Sequence, residues 1–326
     1  MKISRPLLTI AIPTYNRAAT LEQSLMRLLS YKQKNDIEII VSDNASTDNT
    51  CEVIRKIQNL DSSIQYYCNP ENLGFDGNFL NCFERANGKY VWLLSDDDVI
   101  LPGAIESILE ALENEPICMH LNTSSLINET SLSFANPRFK NQGMVVFKDK
   151  NEFLKSIGIY CTFVSSLIFN VNNVRNVANK QQYFGTNILQ SHIFLETMKN
   201  TGNYVINTFN CVAARKNDKV SYDILRTWIK NYSELLITTA VQCGFDAALM
   251  DEMLENDLNN MIYGFVIYFR QTCKNEKDWD RECVWQYINR YPKLIKKYKL
   301  ALVCPVYLLK ILSFKEKIRR KLRRKK

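Results

Sequence analysis

The 326-residue chain has no stretch of about 20 apolar residues, so it offers no segment that reads as a membrane-spanning helix. The apolar run nearest the start, Leu7–Ile12, is stopped by Pro13. It is too short for a secretory core and lacks a small-residue cleavage site, so no leader is expected. None of the ten cysteines forms a Cys-x-x-Cys pair, and several sit in apolar surroundings such as LVCPV. That pattern argues against a zinc site or a disulfide framework, and for buried free thiols in a reducing compartment, the cytosol. Gly-x-Gly-x-x-Gly and Gly-x-x-x-x-Gly-Lys-Ser/Thr are both missing, which removes support for a dinucleotide fold or a P-loop. A nucleotide bound here would leave its diphosphate charge to a metal. Histidine is scarce, with only His120 and His192, and no internal repeat is visible.

What is present is an ordinary globular composition, 46% apolar and 23% charged, long enough for two domains. The net charge of +8 is unevenly placed. Residues 293–326 hold fourteen Lys or Arg and one Glu, net +13, while the remainder holds 28 basic and 33 acidic residues, net −5. A slightly acidic body carries a strongly basic end.

The first hundred residues alternate β-rich runs (LLTIAI, IEIIVS, IQYYC, YVWLLS) with helical patterns such as AATLEQSLMRLLSY, whose Leu21, Leu25, Leu28 and Leu29 share a face. Such alternation predicts βαβ units and a mixed, mainly parallel α/β sheet, with ligands at the carboxyl ends of its strands. Residues 115–215 are less regular; 143–149, 163–170 and 204–214 read as strands and 188–199 as a helix. From about Tyr222 the texture becomes long helices over 222–243, 248–273 and 283–299. The expected division is 1–217 as the α/β domain and 218–326 as an all-helical region with a basic tail.

YVWLLSDDDVILPGAI drives an apolar strand into Asp96, Asp97 and Asp98. On an extended strand Asp96 and Asp98 would share a face, roughly 7 Å apart, with Asp97 turned away. Two acceptor-only groups converging on a point suit Mg²⁺ or Mn²⁺, which takes one or two carboxylates and completes its shell with substrate phosphate. The plainer alternative is helix capping, although a cap needs one Asp rather than three. Asp43, directly after IEIIVS, occupies a position that commonly accepts hydrogen bonds from a ribose or base edge. The Ser46–Asp48 string after it suits a helix cap.

Taken in order, LTIAIPTYNRAATLEQSL, IEIIVSDNASTDNT, NPENLGFDGNF and GKYVWLLSDDDVILPGAI resemble the family 2 glycosyltransferases of the GT-A fold, strongly over about residues 7–115. More loosely, TFVSSLIFN and GTNILQSHIFLE are similar to the bacterial O-antigen branch that includes abequosyltransferases, to about residue 215. The resemblance implies that Pro13, Tyr15 and Asp43 hold the base and ribose of a nucleotide-sugar, with Asn72 and Gly74 along the nucleotide pocket. It places Asp96 near the ribose and Asp98 on the metal of the diphosphate. Two departures stand out. Phe79 occupies the place where many relatives carry an Arg near the diphosphate, which shifts neutralisation to the metal or to Arg215 or Lys216. Gln190-Ser191-His192 replaces the acidic pair that often supplies the base.

His192 then becomes the base candidate, since a near-neutral imidazole can take a sugar hydroxyl's proton; Glu196 and Asp97 are substitutes, and a packed structural His is the alternative. His120 reads as packing or acceptor lining, and Phe75, Phe79 and Phe83 as helix core. The Arg215–Lys219 run is either a solvated loop or a lid whose cation closes on diphosphate. The tail LIKKYKLALVCPVYLLKILSFKEKIRRKLRRKK mixes an apolar middle with dense charge, which fits an in-plane anchor on anionic lipid better than a solvated helix or nucleic-acid binding. The expectation is an inverting transferase acting on a polyprenyl-diphosphate-linked oligosaccharide in surface-polysaccharide or O-antigen synthesis, held at the cytoplasmic membrane. Its rivals are a nucleotidyltransferase and a non-catalytic sugar-nucleotide-binding or membrane scaffold protein.

Overall fold

The computed structural model describes residues 5–31, 37–128, 133–215, 222–272, 278–306 and 308–309. The chain divides into two compact units, Met1–Lys216 and Asn217–Lys326.

In the first unit β1 (Leu8–Thr14), α1 (Ala18–Tyr31), β2 (Ile37–Asp43), α2 (Thr50–Leu60), β3 (Gln65–Cys68), α3 (Gly74–Arg85) and β4 (Tyr90–Leu93) alternate strand and helix along the chain. β2 and β4 flank β1 in parallel, and β3 extends the sheet beside β2. Every residue of β1 is buried, which is why a parallel strand covered on both faces reads as one apolar run. Leu21, Leu25 and Leu28 of α1 and Val53, Ile54 and Ile57 of α2 pack on Leu8, Ile10, Ile12 and Trp92 in one cluster. Gly88, just before β4, lies so close to β1 that an added Cβ would sit 2.7 Å from the Thr9 amide nitrogen. Any side chain there would push β4, and the aspartates after it, away from β1.

The rest of the unit comprises β5 (Val99–Ile100), α4 (Ala104–Leu112), β6 (Pro116–Asn128), β7 (Ser133–Phe134), β8 (Met144–Phe147), α5 (Lys150–Ile157), β9 (Leu167–Asn170), α6 (Val171–Asn176), α7 (Leu189–Thr197) and β10 (Asn203–Ala214). The sheet runs β3-β2-β1-β4-β9-β6-β10-β5, with β7 on β6 and β8 on β10. β9 is antiparallel to both β4 and β6, and β6 lies parallel to β10, so the sheet is mixed. An aromatic cluster fills this half: Phe83 and Phe194 meet Phe169 edge-on at 4.9 and 5.4 Å, and Phe153 stacks on Tyr204 at 5.6 Å. Such pairs contribute about 0.5–1.5 kcal/mol each beyond area burial.

Several local expectations need correction. β6 was not foreseen, because its Cys, His, Asn, Thr and Ser residues break the apolar pattern although most are buried. Val164–Ser166 is a 3₁₀ turn rather than strand, and β9 starts only at Leu167. Phe75 is exposed, so only Phe79 and Phe83 of that trio are core.

The second unit is helical: α8 (Tyr232–Glu234) between π-helical turns Arg226–Asn231 and Leu235–Ala240, then α9 (Ala247–Asn259), α10 (Met261–Thr272), α11 (Glu282–Ile288) and α12 (Pro292–Val303). The expected single helix over 248–273 is two. The backbone leaves helical geometry at Asn260, at φ −117° and ψ −77°, where the side-chain amide also donates to the Asn256 carbonyl at 2.9 Å. Among the described residues no helix is long and apolar enough to cross a membrane, and the nine described cysteines are free. Lys216 and the basic segment 310–326 lie outside the described residues.

Candidate active site

Three strand ends build one polar shelf. β1 delivers Pro13 opposite Ser42, and the exposed Tyr15 follows it; β2 delivers Asp43 opposite Thr14. Asn16, held at φ 52°, stitches the two following loops together. Its Oδ1 accepts from the Thr47 amide at 2.7 Å, and its own amide donates to Ser46 Oγ at 2.8 Å. Asn tolerates the left-handed region better than most residues. Asp48 closes the stitch by accepting from the first amide of α1, Ala18, at 3.1 Å.

Asp43 is buried and oriented from both sides. Its Oδ1 accepts from the Ser46 amide at 2.9 Å and its Oδ2 from the Tyr66 hydroxyl at 2.7 Å. Burial, with the hydrogen bond to and charge of Asp43, pushes the Tyr66 phenol far above its usual range. Tyr66 therefore stays a donor and fixes the carboxylate. Beside Asp43, the Asn44 amide donates to Asn72 Oδ1 at 2.7 Å and to the Gly74 carbonyl at 3.1 Å. Asn72 and Gly74 are thereby tied to the Asp43 shelf, and Gly74 opens α3 at φ 71°, where a side chain would be strained.

The aspartates depart from the strand geometry expected of them. β4 ends at Leu93, and Asp96-Asp97 form a turn, closed by the Asp98 amide donating to the Ser95 carbonyl at 3.3 Å. As a result Asp96 and Asp97 converge on Arg17, and Asp98 is held by other partners. Arg17 Nη1 lies 3.0 Å from Asp96 Oδ1 and 2.5 Å from Asp97 Oδ2. The second oxygen of Asp96 accepts from Thr14 Oγ1 at 2.7 Å, and that of Asp97 from Ser95 Oγ at 2.6 Å. Arg17, which sequence reasoning passed over, is thus an internal counter-ion for two of the three carboxylates. Burial still pushes Asp96 up to about 6, opposed by Arg17.

Asp98 faces the other way. Its Oδ2 accepts from Ser165 Oγ at 2.6 Å and its Oδ1 from the Arg215 backbone amide at 3.3 Å. Among the described residues no cationic side chain stands against it. Burial, then the charges of Asp97 and Asp96, push it up to about 7. Arg215 turns its guanidinium to Gln23 Oε1 at 2.8 Å. No group of three or more His, Cys, Asp or Glu among the described residues forms a self-sufficient metal cage. Hard carboxylate oxygen is nevertheless the right donor for Mg²⁺ or Mn²⁺, and one uncompensated carboxylate fits an ion that takes its other ligands from phosphate and water.

His192 is buried in α7. Its ring stacks on Tyr183 at 4.3 Å, and burial brings it down to about 4, so it is the neutral imidazole at pH 7. Glu196 accepts from the Tyr183 hydroxyl at 2.9 Å and pairs with Lys199 at 2.7 Å. Besides the Phe194 ring, hydrogen bonds tie α7 and the residues before it to other elements. Asp76, buried in α3, accepts from the Asn187 and Leu189 amides at 3.0 and 3.2 Å; Gln190 donates to the Thr162 carbonyl at 3.0 Å, in the segment that leads to Ser165. Asp76 was invisible as a capping residue because its partners lie more than a hundred positions away. His120 is buried in β6 with Phe139 edge-on at 6.1 Å, a packing position.

A strand-end carboxylate shelf on a mixed sheet of this order, with a helical region after it, defines a GT-A glycosyltransferase fold. Residues 9–170 match the family model described as glycosyl transferase family 2, so this stretch is a family 2 glycosyltransferase domain. The chain is 25% identical over 315 residues to the GalNAc(5)-diNAcBac-PP-undecaprenol beta-1,3-glucosyltransferase of Campylobacter jejuni, spanning 95% of this chain and 89% of that protein. It is 32% identical over 200 residues to the abequosyltransferase RfbV of Salmonella typhimurium, 58% of this chain and 60% of that one. In fold it is similar to S. aureus TarS 1–349 in complex with UDP-GlcNAc, with a TM-score of 0.61 at 15% identity over 90% of this chain and 81% of that one. A mannosyltransferase of Pyrobaculum calidifontis, solved with GDP-Man and Mn²⁺, matches at a TM-score of 0.53 and 12% identity over 94% and 85%. The chain is a glycosyltransferase.

Proposed function

We propose that the enzyme is an inverting, divalent-metal-dependent transferase that moves a sugar from a nucleotide-sugar to a hydroxyl of a polyprenyl-diphosphate-linked oligosaccharide in bacterial surface-polysaccharide synthesis. The observation that carries the donor half is Asp98: a buried carboxylate, held by Ser165 and the Arg215 amide, with no cationic side chain against it among the described residues, beside two carboxylates that share Arg17. The acceptor half is supported by the likeness to the Campylobacter enzyme, which spans both units rather than the catalytic domain alone.

In this reading Asp43, held by Tyr66 and Ser46, accepts from the base, with Pro13 and Tyr15 forming the walls of the base pocket. Asn72 and Gly74 line the nucleotide, and Asp96 approaches the ribose from its bond to Thr14. Asp98 holds Mn²⁺ or Mg²⁺, which would offset the charge of the departing nucleoside diphosphate. Arg215 adds a cation beside it, its backbone already on Asp98. His192 takes the proton of the attacking hydroxyl. Asp97, with both oxygens engaged by Arg17 and Ser95, is the substitute. The test is turnover on a lipid-linked acceptor, with release of nucleoside diphosphate in step with the gain of one sugar expected and donor binding without turnover contradicting the reading.

The place of action is the anionic cytoplasmic membrane surface. α12 carries Lys293, Lys296, Lys297 and Lys299, and Leu300 and Val303 are exposed on it. Residues 310–326 add ten Lys or Arg and one Glu. At about 1 kcal/mol per basic residue near an anionic surface, a few engaged side chains suffice. α12 itself buries Leu294, Tyr298, Ala301 and Leu302, so a cut before it would damage the fold. Truncation after Leu309 is the cleaner variant. It is expected to lower binding to phosphatidylglycerol-containing liposomes at least tenfold in co-sedimentation, and undiminished binding would refute the anchor.

A further inference from the structure

We propose that Arg17 is a positioning residue of the transfer site: it ties Asp96 and Asp97 into one ion pair and thereby leaves Asp98 alone to receive the divalent cation. The inference rests on the metal reading above. Consecutive aspartates could in principle supply three carboxylates to one ion. Here every oxygen of Asp96 and Asp97 is already engaged, two by Arg17 and the others by Thr14 and Ser95. The same turn is anchored from behind, where Ser24 of α1 donates to the Asp96 carbonyl at 3.0 Å. Arg17 lies between β1 and α1, immediately before Ala18, and its carbonyl accepts from the Leu21 amide at 3.0 Å, so the backbone that carries the guanidinium is tied to the first turn of α1.

The physical consequence concerns charge and denticity together. With all three carboxylates ionised, the state that a bound cation favours, they and the one guanidinium leave a net charge of −2 around the site. Without the guanidinium the cluster is −3, and Asp97, the most exposed of the three, is free to swing into the ion's shell. Tighter metal binding would then come with a wrong coordination, since ligand places meant for the substrate's phosphate oxygens would be taken by protein. Arg17 keeps the metal weakly held by protein and therefore dependent on substrate.

Mn²⁺ alone is the probe, titrated into the full chain and followed by calorimetry and by loss of the free-ion paramagnetic signal. Arg17→Gln is expected to bind Mn²⁺ about tenfold more tightly than the unchanged protein, the effect of one charge removed at close range in a partly buried setting. Arg17→Lys should remain within about twofold, because the charge is retained. Arg17→Gln combined with Asp97→Asn should return to the original affinity. Circular dichroism confirms that each variant is folded. A purely structural Arg17 would change stability without raising affinity. Equal or weaker Mn²⁺ binding by folded Arg17→Gln, or a gain that survives Asp97→Asn, overturns the role of Arg17 alone. Mn²⁺ binding that persists unchanged in Asp98→Asn, or that is missing from the unchanged protein and Arg17→Gln alike, overturns the metal reading and this inference with it.

Discussion

Turnover at saturating Mn²⁺ is expected to fall by about 10³-fold or more in Asp98→Asn, the size of losing several kcal/mol of transition-state charge stabilisation. The substitution is nearly isosteric, and an Asn at 98 retains an oxygen to accept from Ser165. It also removes a buried charge that no cationic side chain among the described residues offsets, and unpaired buried charges are costly. Thermal stability should therefore hold or rise while transfer disappears. This pairing of outcomes separates a functional role from a structural one. A variant that transfers normally would remove Asp98 from the metal, and one that unfolds would show that Asp98 serves the fold.

His192→Ala should lower kcat by about 10²–10³-fold and leave donor affinity within threefold, the range expected of a lost general base. The pH profile carries further information. Burial depresses the imidazole to about 4, so the base form is already complete at neutral pH. The rate limb due to this group should stay flat from pH 7 to about 5 and fall tenfold per unit below about 4. An acid limb centred near 6.5 would mean that His192 is solvated during turnover. Near-normal kcat in His192→Ala would move the base to Glu196 or Asp97. Of these Glu196 is held by Tyr183 and Lys199, and Asp97 by Arg17 and Ser95.

What could be read from the sequence follows from the range of the interactions. β1, β2 and β4 were legible because buried parallel strands are written as apolar runs, and the polar residues that end them mark a sheet edge. The aspartates were visible at that edge, but their arrangement was not. Alternation presumes an extended backbone, whereas residues 96–97 turn, and the turn sends Asp97 to Asp96 rather than away from it. Arg17 was overlooked for the same kind of reason: it lies about eighty positions from its partners, and nothing local distinguishes it from a solvated first-turn Arg. The positive charge that makes the aspartates tolerable is supplied in part by the protein, where the sequence suggested that it comes wholly from elsewhere. β6 was hidden because its His, Asn, Thr and Ser break the apolar pattern, and a polar residue such as Asn122 is buried there by donating to the Phe139 and Thr208 carbonyls, partners outside its local sequence. Tyr66 and Asp76, each fixing a group of the candidate site, carried no signal beyond their residue type.

The most direct measurement is a coupled assay with the purified full chain, Mn²⁺, a panel of nucleotide-sugars and polyprenyl-diphosphate-linked oligosaccharide extracted from membranes. Two products are followed together, the nucleotide released and the mass of the acceptor. The account predicts that one donor yields nucleoside diphosphate in step with the gain of a single sugar residue on the acceptor, with the anomeric configuration inverted. Release of inorganic diphosphate would indicate a nucleotidyltransferase, and donor binding without turnover a non-catalytic binder; either result would contradict it.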